Sequence, residues 1–200
     1  INISKLPDLS EHFVLFNDDM FINAPVNPDD FFKNGLPRDT GIFSPIVPIS
    51  ETISNILVNN VGIVNKKFNT RQIFRNNFFK FFNYKYGKHL IKNFCVLPWS
   101  HILGFYDSHI PVSYLKSRFI EASEFAKDEI SLLSMNRFRQ PNDISHWLVR
   151  YWQLASGCFY PRRISFGQMY DIERDFSKIR KDVITSKHKV ICLEDGETVL

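Results

Sequence analysis

The residues best suited to chemistry fall in four places along the 200-residue chain. The first is Asn17-Asp18-Asp19, directly after the apolar run Phe13-Val14-Leu15-Phe16. Adjacent carboxylates at a strand end can share a divalent cation, and Mg2+ or Mn2+ prefers oxygen ligands. The same triplet also makes an ordinary polar turn, where Asn and Asp are favoured. The second is Gly104-Phe105-Tyr106-Asp107-Ser108-His109-Ile110-Pro111, a loop whose His109 could take a proton from an attacking hydroxyl or simply satisfy the loop. The third runs from Asn136 to Asp143, with Arg137 and Arg139 just before Pro141. Guanidinium forks beside the free N–H groups of a helix start suit phosphate oxygens, although a basic surface loop has the same composition. The fourth is the mixture of Phe with Lys and Arg from Arg71 to Lys92. A packed helix with a basic outer face accounts for it. A membrane surface or a polyanionic glycan is the next reading, and single-stranded nucleic acid the last, because Phe dominates over Tyr and Trp.

These residues need elements to hold them in place. Phe13–Phe16 reads as a short buried strand ending in acids, and Lys189-Val190-Ile191-Cys192-Leu193 as a second, tipped by Glu194 and Asp195. Between them, Ile53, Ile56, Leu57, Val61 and Val64 recur at helical spacing, and a further helix covers roughly Arg71 to Phe82 with Phe on more than one side. Pro111 sits where a helix can start, and Leu115, Phe119, Ala122 and Ala126 continue one face. Pro141 opens another helix, with Asp143 in its first turn, a stripe through Trp147, Leu148, Tyr151 and Leu154, and Gly157 as its stop. Pro25, Pro28, Pro37, Pro45 and Pro48 mark a loop-rich passage. Two acid-tipped strands separated by helices imply an α/β sheet, whose ligand crevice lies beyond the strand carboxyl ends.

Composition narrows the class. A hydrophobic fraction of 44% with 23% charged residues describes a globular chain rather than a disordered one. The net charge of +4 conceals an asymmetry: residues 1–51 hold eight acids and three bases, whereas Thr52 to Tyr106 hold eight bases and no acid. Such a stretch suits an anionic partner, or is a solvated basic face. No apolar run approaches the roughly 20 residues of a membrane span, and Ile1–Lys5 has no signal-peptide pattern. Cys95, Cys158 and Cys192 are odd in number and far apart, which fits buried free thiols in a reducing compartment rather than a disulfide framework or zinc ribbon. The commonest phosphate-loop, dinucleotide, nucleophile-elbow and zincin motifs are missing.

Taken together, four blocks in order resemble the Stealth family of sugar-phosphate transferases, which includes bacterial capsular polysaccharide phosphotransferases and the eukaryotic enzyme that tags lysosomal hydrolases. Leu9 to Phe21 with Pro28-Asp29-Asp30-Phe31-Phe32 looks like the family's second conserved region, and Val64-Asn65-Lys66-Lys67-Phe68 like its connecting segment. Leu103 to Pro111, Arg137-Phe138-Arg139, Asp143 and Tyr151-Trp152 look like the third, and Lys189 to Asp195 like the fourth. The resemblance runs from about Leu6 to Asp195. Two departures stand out: Leu193-Glu194-Asp195 replaces a usual Leu-Asn-Asp, and the family's first region, a strand with a Trp-Val-Asp/Asn-type end, has no counterpart. The chain therefore reads as one Stealth-type catalytic domain over residues 1–200, truncated at its N-terminus.

The resemblance implies an α/β fold, a nucleotide-sugar-transferase-like sheet with flanking helices. It implies transfer of a sugar-1-phosphate from a UDP-sugar to a glycan hydroxyl, with release of UMP. Asp18 or Asp19, with Asp195, would hold Mg2+ or Mn2+, and His109 would be the general base. Arg139, with Arg137, would stabilise phosphoryl charge, while Asp143 orients neighbours or meets a sugar hydroxyl and Asn17 shapes the acid-bearing turn. The partners are a UDP-sugar donor and a polysaccharide acceptor, with peripheral contact at the inner face of a bacterial cytoplasmic membrane and no nucleic acid. Sugar-only transfer releasing UDP, and a non-catalytic glycan-binding derivative, are the alternatives.

Overall fold

The computed structural model describes residues 2–48, 53–138 and 140–195. Among them the strands are β1 (His12–Leu15), β2 (Met20–Ile22), β3 (Phe32–Lys33), β4 (Leu36–Asp39), β5 (Val112–Leu115), β6 (Tyr160–Pro161), β7 (Gly167–Asp171) and β8 (Val190–Glu194). The helices are α1 (Pro28–Phe31), α2 (Ser54–Lys67), α3 (Thr70–Phe81), α4 (Leu90–Cys95), α5 (Lys116–Phe125), α6 (Lys127–Met135), α7 (Trp147–Ala155) and α8 (Ile172–Thr185). The class is α/β, as expected.

The strands form three small sheets, β1-β5, β2-β8-β7 and β3-β4-β6, rather than one. β7 and β8 run parallel and are joined by the α8 crossover, while β2 lies antiparallel on the other edge of β8. A side-chain cap begins α8, where Asp171 accepts the Arg174 N–H at 2.8 Å. Ser186, in the left-handed region at φ +47°, ends it.

The helical layer is aromatic. Every residue of α7 is buried, and α7 packs with α2, α3 and α5 in the main core. Phe43 stacks on Phe81 and Phe105 with ring centroids 5.2 and 4.8 Å apart and meets Phe74 edge-on. This absorbs much of the Phe content that the composition presents. Across the core, Arg150 of α7 reaches Asp39 at the end of β4 through two bonds of 2.8 and 2.9 Å. A third bond, to the Tyr106 carbonyl at 3.0 Å, fastens the loop that follows.

Several expectations need correction. Phe13–Phe16 is not a buried run: β1 is only half-buried and Phe16 is exposed. Pro111 precedes a strand, because Val112–Leu115 pairs with β1, and α5 begins only at Lys116. Pro141 opens a turn rather than a helix. The Asp143 carboxylate accepts the Gln140 N–H at 2.8 Å and α7 starts at Trp147, so Asp143 lies outside any helix. The Pro-rich passage carries α1, β3 and β4. Cys95 is exposed, whereas Cys192 is buried as anticipated. The helices through the fifties and seventies and the strand at 190–194 stand where the sequence put them. None of the described helices is long and apolar enough to cross a membrane.

Candidate active site

The acid-bearing turn, the His109 loop and the end of β8 meet in one place. Asn17 accepts the Met20 N–H at 3.2 Å, closing a tight turn through Asp18 and Asp19. That turn is tied to β8 by the Leu193 N–H, which donates to the Asp19 carbonyl at 2.9 Å. The two acids therefore part: Asp18 is exposed, while Asp19 is drawn against β8. There the buried Cys192 thiol donates to Asp19 Oδ2 at 3.3 Å. Burial, with Asp19 and Glu194 nearby, pushes the Cys192 thiol pKa well up.

His109 arrives from the other side on a constrained backbone. Its φ of +46° lies in the left-handed region, where a non-glycine residue is strained. The conformation is held because Asp107 Oδ1 accepts the His109 N–H at 2.8 Å. Upstream, Gly104 (φ +136°) lets the chain pass close to Ser44, whose carbonyl would lie 2.6 Å from an added Cβ. Beneath, Trp147 at the start of α7 lies under the imidazole with centroids 6.4 Å apart, and Arg150 holds the Tyr106 carbonyl.

Three carboxylates surround this one ring. His109 Nε2 is 3.5 Å from both Asp19 Oδ2 and Glu194 Oε1, and Nδ1 is 3.8 Å from Asp107 Oδ2. The side chains of His109, Asp19 and Asp107 are each about a quarter exposed, so the cluster opens to solvent. Pairing with Asp107, and the charges of Asp107, Glu194 and Asp19, raise the His109 pKa against the opposing effect of burial.

The cluster presents carboxylate oxygens of the kind that a hard divalent cation takes. Asp19 Oδ1 is buried and has no hydrogen-bond partner, and the three acids exceed the single imidazole in charge. Ligand atoms of Asp19, His109 and Cys192 also lie within 4.8 Å of one another. A Cys-His-Asp set is softer than Mg2+ or Mn2+ takes, and Glu194 stands outside that group, against His109 Nε2.

The sequence-derived candidates divide. Asp19 and His109 are brought together, and Asn17 shapes the turn. Asp195 is exposed one residue past β8, and its neighbour Glu194 takes the inward place. Asp143 is buried, accepts from Asn136 Nδ2 at 2.7 Å and from the Gln140 N–H, and so ties Asn136 and Gln140 together. Arg137 is exposed with its guanidinium over Phe138. Arg139 lies outside the described residues. Asp107, Glu194 and Cys192 lie in the segments that the sequence singles out, but it assigns none of them a role in the site. Strand period was the available signal, since Cys192 and Glu194 share one face of β8.

No family model matches the chain. It is 55% identical over 199 residues to the capsular polysaccharide phosphotransferase WcwK of Streptococcus pneumoniae, covering 100% of this chain and 59% of that relative. It is 43% identical over 196 residues to the exopolysaccharide phosphotransferase cps2G of Lactiplantibacillus plantarum, covering 98% and 58%. It is 36% identical over 200 residues to the receptor polysaccharide phosphotransferase WefC of Streptococcus gordonii, covering 99% and 60%. The chain spans about six tenths of the length of these curated relatives. Along its whole length, then, it is similar to polysaccharide phosphotransferases.

Proposed function

We propose that this chain carries the transfer centre of a Stealth-family phosphotransferase that moves a sugar-1-phosphate from a UDP-sugar to a glycan hydroxyl. The observation that carries the reading is His109, fixed on a strained backbone between Asp19, Asp107 and Glu194. The names of relatives similar over the whole chain support the reaction class.

In the proposed step the acceptor oxygen bonds to the phosphorus that bears the sugar. The bridging P–O bond of the diphosphate breaks, and its oxygen leaves with UMP. The acceptor proton goes to His109 Nε2, and Asp107 orients the ring from the Nδ1 side. Asp19 and Glu194 would hold Mg2+ or Mn2+, which supplies charge neutralisation for the diphosphate when bound. Asp18 and Asp195 stand at the rim, where they meet donor or acceptor hydroxyls. Arg137 and Arg139 are assigned to phosphoryl charge.

The test is the nucleotide released when the chain meets UDP-N-acetylglucosamine, other UDP-sugars, Mn2+ and a capsular glycan. UMP that disappears in Asp19→Ala supports the reading. UDP would reassign the chain to sugar-only transfer, and silence with all donors to a non-catalytic role.

The place of action in this reading is an anionic membrane surface. Phe78, Phe79, Ile91, Phe94, Leu97 and Trp99 are all exposed around α3 and α4. No acid lies among the described residues from Ile53 to Tyr106. Exposed aromatics within an acid-free basic stretch complement anionic headgroups. Cosedimentation with phosphatidylglycerol vesicles, lost in Phe79→Ser with Trp99→Ser, would bear this out. Equal binding to phosphatidylcholine vesicles would contradict it.

A further inference from the structure

A second concave site lies at the opposite end of the β7/β8 pair. Its volume is about 470 Å³, and its walls carry Lys85, Lys88, His89, Arg163, Lys187 and His188 with no carboxylate among the lining residues. Four exposed or half-buried cations, Lys85, Lys88, Arg163 and Lys187, line it beside two imidazoles. His89 is held toward its neutral form by burial and the nearby lysines, and His188 is paired with Asp182. Such a lining describes a site for an anion.

The walls are fixed rather than draped. The Tyr86 hydroxyl donates to the Lys80 carbonyl at 2.6 Å and accepts the Gly41 N–H at 3.0 Å. Asn83 caps the turn by accepting the Lys85 N–H at 3.2 Å. Gly87, at φ +52°, supplies the reversal that brings Lys88 and His89 round. Lys85 Nζ is held by the Pro161 carbonyl at 3.1 Å, and His188 by the buried Asp182 at 2.5 Å. Lys88, Arg163 and Lys187 are exposed, with side chains available to a ligand.

Position separates this cavity from the transfer centre. Arg163 to Gln168 and Lys187-His188 lead into β7 and β8, whereas Glu194 ends β8. At about 3.3 Å per residue, the strand from Val190 to Glu194 spans about 13 Å. The nucleotide crevice of an α/β sheet lies at the carboxyl ends of its strands, so a donor at His109 leaves this cavity free. One segment touches both places: the His89 ring packs on Tyr106 with centroids 5.2 Å apart, three residues before His109.

We propose that the cavity is an acceptor subsite that takes a phosphodiester group of the growing glycan, with the exposed Tyr84 ring beside it as a platform for a sugar face. This deepens the transferase reading and rests on it: each proposed transfer leaves a sugar phosphodiester, so an acceptor already extended by such a step carries the anion that Lys85, Lys88, Arg163 and Lys187 fit. An extended chain is also what reaches from the cavity to His109.

The test is equilibrium binding, without donor or added metal, of a purified bacterial polysaccharide linked by sugar-1-phosphate diesters. The neutral repeat-unit oligosaccharide obtained by cleaving those diesters serves as the control. Lys88→Glu, Arg163→Glu and Lys187→Glu together should weaken polymer binding about tenfold or more, leave the oligosaccharide unaffected and keep the wild-type circular dichroism. Arg163→Glu alone should weaken binding in the same direction, so a misfolded triple variant does not end the test. Unchanged polymer affinity in the folded variants, or displacement of the polymer from wild type by UDP, overturns the inference. Failure of the two readings is distinguishable. Charge-dependent polymer binding without nucleotide release breaks the activity reading alone, and nucleotide release with unaltered polymer affinity in the variants breaks only the subsite.

Discussion

Two clusters of carboxylate and cation sit about α7, and they are built to opposite ends. Asp39 and Arg150 lie in the core, paired by two short bonds, with the Tyr106 carbonyl taking a third guanidinium hydrogen. Both side chains are buried there, and a second buried guanidinium, Arg162, also feels the Asp39 charge. Around His109 the contacts are 3.5 to 3.8 Å, the groups are partly exposed, and three acids face one imidazole. A buried pair closed by short bonds holds elements together. An unmatched, wet cluster on a strained residue has capacity left for something that is not part of the chain. The first cluster also serves the second, because Arg150 fixes the peptide that leads to Asp107 and His109.

The sharpest way to break this contrast is to remove one member of each. His109→Ala should lower turnover by about 10²- to 10⁴-fold while donor affinity, read by equilibrium titration, and the thermal midpoint stay near wild type. Asp39→Ala should do the reverse first, since it leaves Arg150 buried without its acid. A loss of about 3–5 kcal/mol in denaturant unfolding is expected, with expression falling accordingly. Should His109→Ala unfold the protein and Asp39→Ala leave it stable, the contrast fails.

A finer test separates neighbours on β8. Glu194→Gln should weaken Mn2+ binding, measured by electron paramagnetic resonance, by about 10- to 100-fold. Asp195→Asn should change it little, because Asp195 is exposed beyond the strand. The opposite ranking would restore the acid that the sequence favoured.

The smallest effect concerns pH. Burial holds the His146 pKa down to about 4. The unfolded chain takes up the same proton near its ordinary value of about 6.5. Between those values the unfolded state carries more protons, so stability falls as pH drops through that window, by about 1–3 kcal/mol. His146→Gln should flatten that part of the stability profile. An unchanged slope would show that other groups set it.

How much of this was legible in the sequence follows from which signals are local. The β8 strand announces itself as an apolar run, and α2 and α3 by helical period, because each buries a stripe that its own spacing reveals. β5 is buried on both faces, so Val112–Leu115 lacks the alternation of a strand and reads as part of the following helix. The start of α7 was misplaced because Pro141 and Asp143 fit a helix N-terminus as well as the turn they make. His109 and Asp19 could be named from residue type. That Glu194 rather than Asp195 faces them depends on the Leu193–Asp19 bond, a contact between distant segments that no local pattern encodes. The partition into three sheets is non-local in the same way.

The central claim is that this site transfers a phosphorylated sugar. Its most direct test uses a UDP-sugar labelled with ³²P at the phosphorus nearest the sugar, incubated with chain, Mn2+ and capsular glycan. Label should enter the glycan with the wild-type chain and stay out of it with His109→Ala. Label recovered in free UDP, or incorporation that survives loss of His109, would contradict the account.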